Sequence, residues 1–241
     1  MIAFAPLAHI QPQSIVKICG LRSIEHAIAA ADSGAALLGL VFAPSKRRVE
    51  SDDAAALVAG LRRTGRLTAA VGVFVNEEPA AINAIAERCG LAAVQLSGDE
   101  PPTIVDLLEW PVIAAIRLRS DERERGWIEL ARRCPERVLL LVDAHLPGSY
   151  GGAGVVADWK GAAALARELP LLLAGGLSPE NVAEAVTTVQ PLGVDVSSGV
   201  ETKGVKDPEK IRAFLEAVRA VAGTRRGGSS VVAFHQGGTR S

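Results

Sequence analysis

Cys19 and Asp143 are where the sequence first suggests chemistry, because each is the only titratable group at the tip of an otherwise apolar run. Facing each other from opposite sides of a small mouth, a thiol and a carboxyl can work as base and acid on a substrate held between them. Arg47 lies just beyond the second apolar run, Asn76 ends the third, Gln95 lies near the end of the fourth and Asp195 near the end of the last. Cys19, Asp143 and Arg47 each also have a structural reading. A cysteine at a strand end often packs as a small buried hydrophobe. Asp143 can cap the loop that follows it, or bind Lys17, which shares a face with Cys19 because side chains two apart on a strand do. Arg47 sits in Ser45-Lys46-Arg47-Arg48, which is either a solvated basic loop or a carboxylate clamp, since the guanidinium fork matches a carboxylate.

A second group of residues has the composition of an anion site. The apolar run 171–174 ends in Gly175 and Gly176, and the run 192–196 ends in Ser197, Ser198 and Gly199. Between them Ser178 and Pro179 read as the N-cap and first turn of a helix reaching Val189. Two neighbouring parallel strands that both finish in small residues bring unpaired backbone N–H groups and a helix start into one corner, as a phosphate monoester requires. Glycine and serine are also ordinary turn residues; two such loops in consecutive units favour the phosphate reading.

The remaining reactive side chains do not converge. His9, His26, His145 and His235 fall in an extension, a helix, a loop and a tail, with no metal-ligand spacing, so no metal is expected. Cys89 and Cys134 lie late in helices and take no role. Three cysteines at unrelated spacings argue against a disulfide framework and for a reducing compartment. A formal net charge of -1 gives no reason to expect nucleic acid or an anionic membrane as partner. Without a transmembrane-length apolar run or a signal sequence, the protein is expected to be cytoplasmic.

The elements that must position these groups follow from the hydrophobic pattern. Runs 14–19, 36–42, 69–75, 92–96, 112–117, 138–143, 171–174 and 192–196 read as strands. Helices are predicted over 23–32, from Ser51, and over 78–88, 102–108, 121–133, 159–168, 179–189 and 207–221, the last started by Asp207 and Pro208. Strand and helix alternate with no hairpin signal between them, so the sheet is parallel. Eight such units close into a single-domain α/β fold, a (β/α)8 TIM barrel. An open doubly wound sheet for dinucleotides would carry G-x-G-x-x-G after an early strand, where this chain has Cys19-Gly20-Leu21-Arg22. The expected boundaries are an N-terminal extension over 1–13, the barrel over 14–222 and a disordered Gly/Ser-rich tail over 223–241.

Together, VKICG (16–20), FAPSKRRV (42–49), VGVFVN (71–76), VQLSG (94–98), Asp143 followed by GGAG (151–154), LAGGLSPEN (173–181) and DVSSGVE (195–201) resemble the phosphoribosylanthranilate isomerases of tryptophan biosynthesis. The resemblance implies an Amadori rearrangement, with Asp143 protonating the ring oxygen and Cys19, as thiolate, removing the proton from C2; the iminium intermediate itself acidifies C2, so no cofactor is expected. It implies that Arg47 binds the anthranilate carboxylate, that Asp195 and Gln95 bind the substrate, and that Gly175, Gly176, Ser197, Ser198 and Gly199 hold the phosphate. Lys17 would lower the thiol pKa, and burial would keep the proton on Asp143. Ser97 stands where many members of the family carry histidine, and Ala153 where threonine is frequent. The expected partner is a small phosphorylated molecule, with assembly as a monomer or homodimer. A bifunctional isomerase also serving histidine biosynthesis would be expected to have aspartate at the place of Cys19, and ribulose-phosphate epimerase would need histidines and a metal. A non-catalytic phosphosugar-binding module would have no use for Cys19 and Asp143.

Overall fold

Eight parallel strands hydrogen-bond in chain order and the last pairs with the first, closing a barrel: β1 (Ile15–Cys19), β2 (Leu37–Val41), β3 (Ala69–Phe74), β4 (Ala93–Leu96), β5 (Val112–Ile116), β6 (Val138–Asp143), β7 (Leu171–Ala174) and β8 (Gly193–Val196). This computed structural model describes residues 15–143 and 158–224. The connecting helices are α1 (Ile24–Asp32), α2 (Ser51–Arg63), α3 (Pro79–Cys89), α4 (Glu122–Arg133), α5 (Trp159–Ala166), α6 (Val182–Val189) and α7 (Pro208–Thr224). Local sequence sets several of their starts. Ser23 accepts from His26 N at 3.3 Å, Asp121 from Glu124 N at 2.8 Å and Asp158 from Gly161 N at 2.8 Å, each satisfying one amide left over by the first turn.

Period-two alternation divides every strand between two cores. Outward residues such as Ile18, Leu38, Val94, Leu140 and Leu173 pack against the helices, and inward residues such as Ile15, Leu37, Val71, Ile113, Leu139 and Leu172 fill the barrel. Burying each leucine or isoleucine stabilises the fold by about 1.5–3 kcal/mol, which is why both faces of these strands are apolar. The inward positions become polar only near the carboxyl ends, at Lys17, Cys19, Gln95, Asp143 and Asp195. A polar ring above an apolar plug is the arrangement that lets the barrel mouth bind and react.

Four local expectations are corrected. Residues 102–107 form a 3-10 helix, Pro102–Leu107, in place of an α-helix. α6 begins at Val182 and not at Pro179: the Asn181 side chain accepts from Ser178 N at 2.8 Å and donates to Gly176 O at 2.9 Å, which holds the preceding residues as a turn. Ser178 is therefore not its N-cap. A hairpin that the sequence reading did not anticipate, β9 (Glu201–Thr202) with β10 (Val205–Lys206), follows β8. Its turn residues Lys203 (φ 52°) and Gly204 (φ 79°) are both left-handed, the geometry of a tight two-residue hairpin loop. Finally, α7 continues to Thr224, past the expected end of the barrel. The extension 1–13, the rest of the tail and the 151–154 motif with His145 lie outside the described residues. Among the described residues, no helix is long and apolar enough to cross a membrane.

Candidate active site

β1 and β8 pair with Lys17 opposite Asp195, and Lys17 Nζ donates to Asp195 Oδ1 at 2.8 Å. The Lys17 side chain is fully buried, and that of Asp195 nearly so. The sequence offered Asp143 as a partner for Lys17; register gives the lysine to Asp195 instead. Cys19 lies one pleat further along β1 on the same face. Its Sγ and Lys17 Nζ are 2.8 and 3.0 Å from the one point where a β-carbon on Gly39 would sit. Glycine on β2 thus leaves the space that thiol and ammonium occupy. Burial disfavours charge on Lys17, and Asp195 with Cys19 outweighs it, so the lysine pKa is raised. For Cys19 burial wins: the thiol is pushed above its ordinary range, with Lys17 pulling it down and Asp195 adding to the rise. Lys17 pulls the thiol down as expected, but burial, with Asp195 adding to it, outweighs that pull, so the expected net lowering is corrected to a rise.

Arg47 reaches the same end of the barrel from the β2 loop. Its stem crosses the chain just after Cys19, where a β-carbon on Gly20 would meet Arg47 Cδ at 2.5 Å. The guanidinium forms a two-point pair with Glu201: Nε to Oε1 at 2.7 Å and Nη2 to Oε2 at 2.8 Å. Arg47 is therefore neither a solvated loop residue nor a clamp with both edges free. Lys206, carried back by the β9–β10 turn, donates to Glu201 Oε1 at 2.7 Å and to Ser197 O at 2.8 Å. The Ser197 hydroxyl donates to Cys19 O at 3.1 Å, so it is tied to β1 and only the backbone of Ser197 is left for an anion. Burial raises the Glu201 pKa, but the hydrogen bonds from Arg47 and Lys206 overcome this and hold it down to about 2. A cleft beside this group is lined by Gly20, Arg22, His26, Arg47, Glu201 and Lys206, among others.

The corner that the sequence marks for an anion is formed by the loops after β7 and β8, which touch. A β-carbon on Gly199 would lie 1.9 Å from Leu177 O. Gly175 (φ 94°) and Gly176 (φ 66°) are left-handed, conformations that glycine adopts without steric cost. Among the described residues, none accepts a hydrogen bond from the backbone N–H of Gly176, Ser198 or Gly199. The short 3-10 turn Ser198–Val200, not α6, supplies the helical start at this corner.

Gln95 is buried on β4; its Nε2 donates to Ser97 Oγ at 3.0 Å, while among the described residues its Oε1 has no partner. Asp143 closes β6, half-buried, in register with Ala174 of β7. On the ring β6 and β1 stand three strands apart, where diametrically opposite strands stand four apart, so Asp143 and Cys19 lie across much of the mouth from each other. The strands that carry the anion loops stand between them. Asn76 is structural: its N–H donates to Glu100 Oε1 at 2.7 Å and its Oδ1 accepts from Asp99 N at 2.7 Å, clamping two neighbouring loops. Among the described residues, no group of three or more His, Cys, Asp or Glu side chains is placed to hold a metal ion. Sequence reasoning missed Glu201 and Lys206 as parts of the site. Their signal was Thr-Lys-Gly-Val (202–205), a hairpin turn directly after a strand end.

Comparison with known proteins gives one consistent result. The family model for N-(5'-phosphoribosyl)anthranilate (PRA) isomerase matches residues 16–217. An N-(5'-phosphoribosyl)anthranilate isomerase of Roseiflexus sp. (strain RS-1) is 56% identical over 212 residues, covering 86% of this chain and 98% of the relative. The crystal structure of the phosphoribosyl anthranilate isomerase from Thermotoga maritima is similar at 39% identity and a TM-score of 0.73, covering 86% of this chain and 98% of that one. A phosphoribosyl anthranilate isomerase solved in complex with reduced 1-(o-carboxyphenylamino)-1-deoxyribulose 5-phosphate is similar at 36% identity and a TM-score of 0.70, with coverage of 86% and 98%.

Proposed function

The chain belongs to the N-(5'-phosphoribosyl)anthranilate isomerase family, and from that premise we propose that Asp143 and Cys19 are the acid and base of its reaction. As a member, it converts N-(5'-phosphoribosyl)anthranilate to 1-(2-carboxyphenylamino)-1-deoxyribulose 5-phosphate, an isomerisation of tryptophan biosynthesis. In the proposed sequence Asp143 gives its proton to the furanose ring oxygen, the C1–O bond breaks, and the amine nitrogen supplies electrons to form a C1=N iminium. Cys19 Sγ then takes the proton from C2; the C–H electrons become the C1=C2 bond, and the nitrogen regains its lone pair. The resulting enolamine gains a proton at C1 and loses one from the C2 hydroxyl to leave the ketone. Atoms and electrons balance without an external redox partner.

The single observation that supports this most is the meeting of Cys19 Sγ and Lys17 Nζ against Gly39 at the mouth. Burial disfavours the thiolate; a cationic iminium beside it adds a second positive neighbour and favours loss of the thiol proton to water, so that Sγ is a thiolate when it takes the proton from C2. Arg47 binds the anthranilate carboxylate, and the amides of Gly176, Ser198 and Gly199, with Gly175 and the backbone of Ser197, hold the phosphate. Gln95 Oε1 accepts from a substrate hydroxyl or amine, and Asp195 contacts the substrate through the oxygen that Lys17 does not take.

The test is loss of substrate fluorescence in the purified protein and in Cys19→Ala and Asp143→Asn. General acid–base groups typically contribute about 10²- to 10⁴-fold, so kcat falls in that range in each variant while the reduced product analogue still binds. A Cys19→Ala variant keeping more than about a tenth of kcat overturns the assignment of the base.

A further inference from the structure

We propose that Glu201 is a positioning residue that fixes the Arg47 guanidinium so that its outer edge receives the substrate's carboxylate; this rests on the reading of Arg47 given above. A guanidinium presents two edges on which a carboxylate can sit with two parallel hydrogen bonds, one formed by Nε with one terminal nitrogen and one by the two terminal nitrogens. Glu201 occupies the first, at 2.7 and 2.8 Å. Among the described residues the second, Nη1 with the other N–H of Nη2, has no partner, and it stands as a fork of fixed orientation. Gly20 allows the Arg47 stem to lie across the chain beyond Cys19, so stem and head are both constrained.

Charge counting explains why Lys206 belongs to the same group. Arg47 with Glu201 alone would be neutral and would not attract an anion. Lys206 Nζ, 2.7 Å from Glu201 Oε1, restores one net positive charge, which the incoming carboxylate neutralises. The hairpin puts Lys206 directly opposite Glu201 in register. Lys206 also holds Ser197 O at 2.8 Å, so the carboxylate fork is mechanically joined to the loop that follows β8.

The test compares two ligands, the reduced product analogue and its counterpart lacking the ring carboxylate, by fluorescence titration. Proteins are wild type, Glu201→Gln, Glu201→Asp, Arg47→Ala and Arg47→Ala/Glu201→Gln. In Glu201→Gln the carboxylated analogue weakens by about tenfold or more, the decarboxylated one by less than about threefold, and KM rises while kcat stays within about threefold. On the Arg47→Ala background Glu201→Gln adds nothing, since it acts through that side chain. Glu201→Asp keeps both ion-pair charges, and its shorter arm cannot span both nitrogens. It therefore gives an intermediate loss and supplies the readout should Gln at this position prevent folding. Equal weakening of both analogues, a Glu201→Asp variant with wild-type preference, or a Glu201→Gln effect undiminished without Arg47 overturns the proposal. An Arg47→Ala variant that keeps the preference for the carboxylated analogue instead overturns the reading of Arg47.

Discussion

Replacing Lys17 by Met keeps the stem and removes the ammonium that neutralises Asp195, and among the described residues Lys17 Nζ is the one hydrogen-bond donor to that carboxylate. With Lys17 fully buried and Asp195 about a tenth exposed, the variant leaves a nearly buried carboxylate unpaired. Breaking one side of such a pair costs about 3–5 kcal/mol. The pair as a whole is worth far less than that, because burying two charges offsets most of their attraction. Lys17→Met/Asp195→Leu, which fills the space with apolar groups continuous with Ile15 and Leu37 below, should lie within about 1 kcal/mol of wild type. Urea unfolding at pH 7 reads both values. The same proteins report on the thiol: alkylation of Cys19 by iodoacetamide at fixed pH slows in Lys17→Met, and partly recovers in the double variant, where the carboxylate that also disfavours the thiolate is gone. The folded-state pKa of Lys17 is raised above 10.5. The stabilisation is therefore complete below pH 10.5 and is lost only as pH climbs through the raised value. A single variant losing less than about 1 kcal/mol, or a double variant as unstable as the sum of the singles, would refute this account of the buried pair.

Glu201 titrates from 4.5 unfolded to about 2 folded, so its contribution is present above pH 4.5 and disappears as pH falls to about 2. The difference in unfolding free energy between wild type and Glu201→Gln should shrink by roughly 1–2 kcal/mol over that window, less than the full shift because solvent screens a partly exposed pair, measured by denaturant titration. Gly176→Val places a branched side chain at φ 66° in the anion corner and should raise KM strongly or abolish binding of the reduced product analogue. Ser198→Ala keeps its N–H and should change KM little; a larger effect at Ser198 would mean that its hydroxyl and not the backbone holds the phosphate. Isomerisation should also proceed undiminished in the presence of a chelator, and activity lost on chelation and restored by zinc would contradict a route using only side chains.

The sequence by itself determined the barrel and the edge on which its chemistry lies. Apolar runs bounded by caps and glycines, repeating in strand–helix order, admit few arrangements, and strand β6 is where the pattern puts it, Val138–Asp143. Period-two alternation likewise made Lys17 and Cys19 neighbours on one face, because that depends only on backbone pleating. Local chemistry was harder to read where side chains compete with backbone: Asn181 folding back on Ser178 N delays α6, and two left-handed residues make the β9–β10 turn. Only the tertiary structure decided the partners. Lys17 and Asp195 are 178 positions apart, as are Ser197 and Cys19, and Arg47 and Glu201 are 154 apart. Each pairing exists because closure brings β8 against β1 in one register and the hairpin then folds Lys206 over Glu201. A local pattern specifies which way a side chain points, whereas the charge it meets is fixed by the register in which distant strands close, and the pKa values of Cys19, Lys17 and Glu201 follow from that closure.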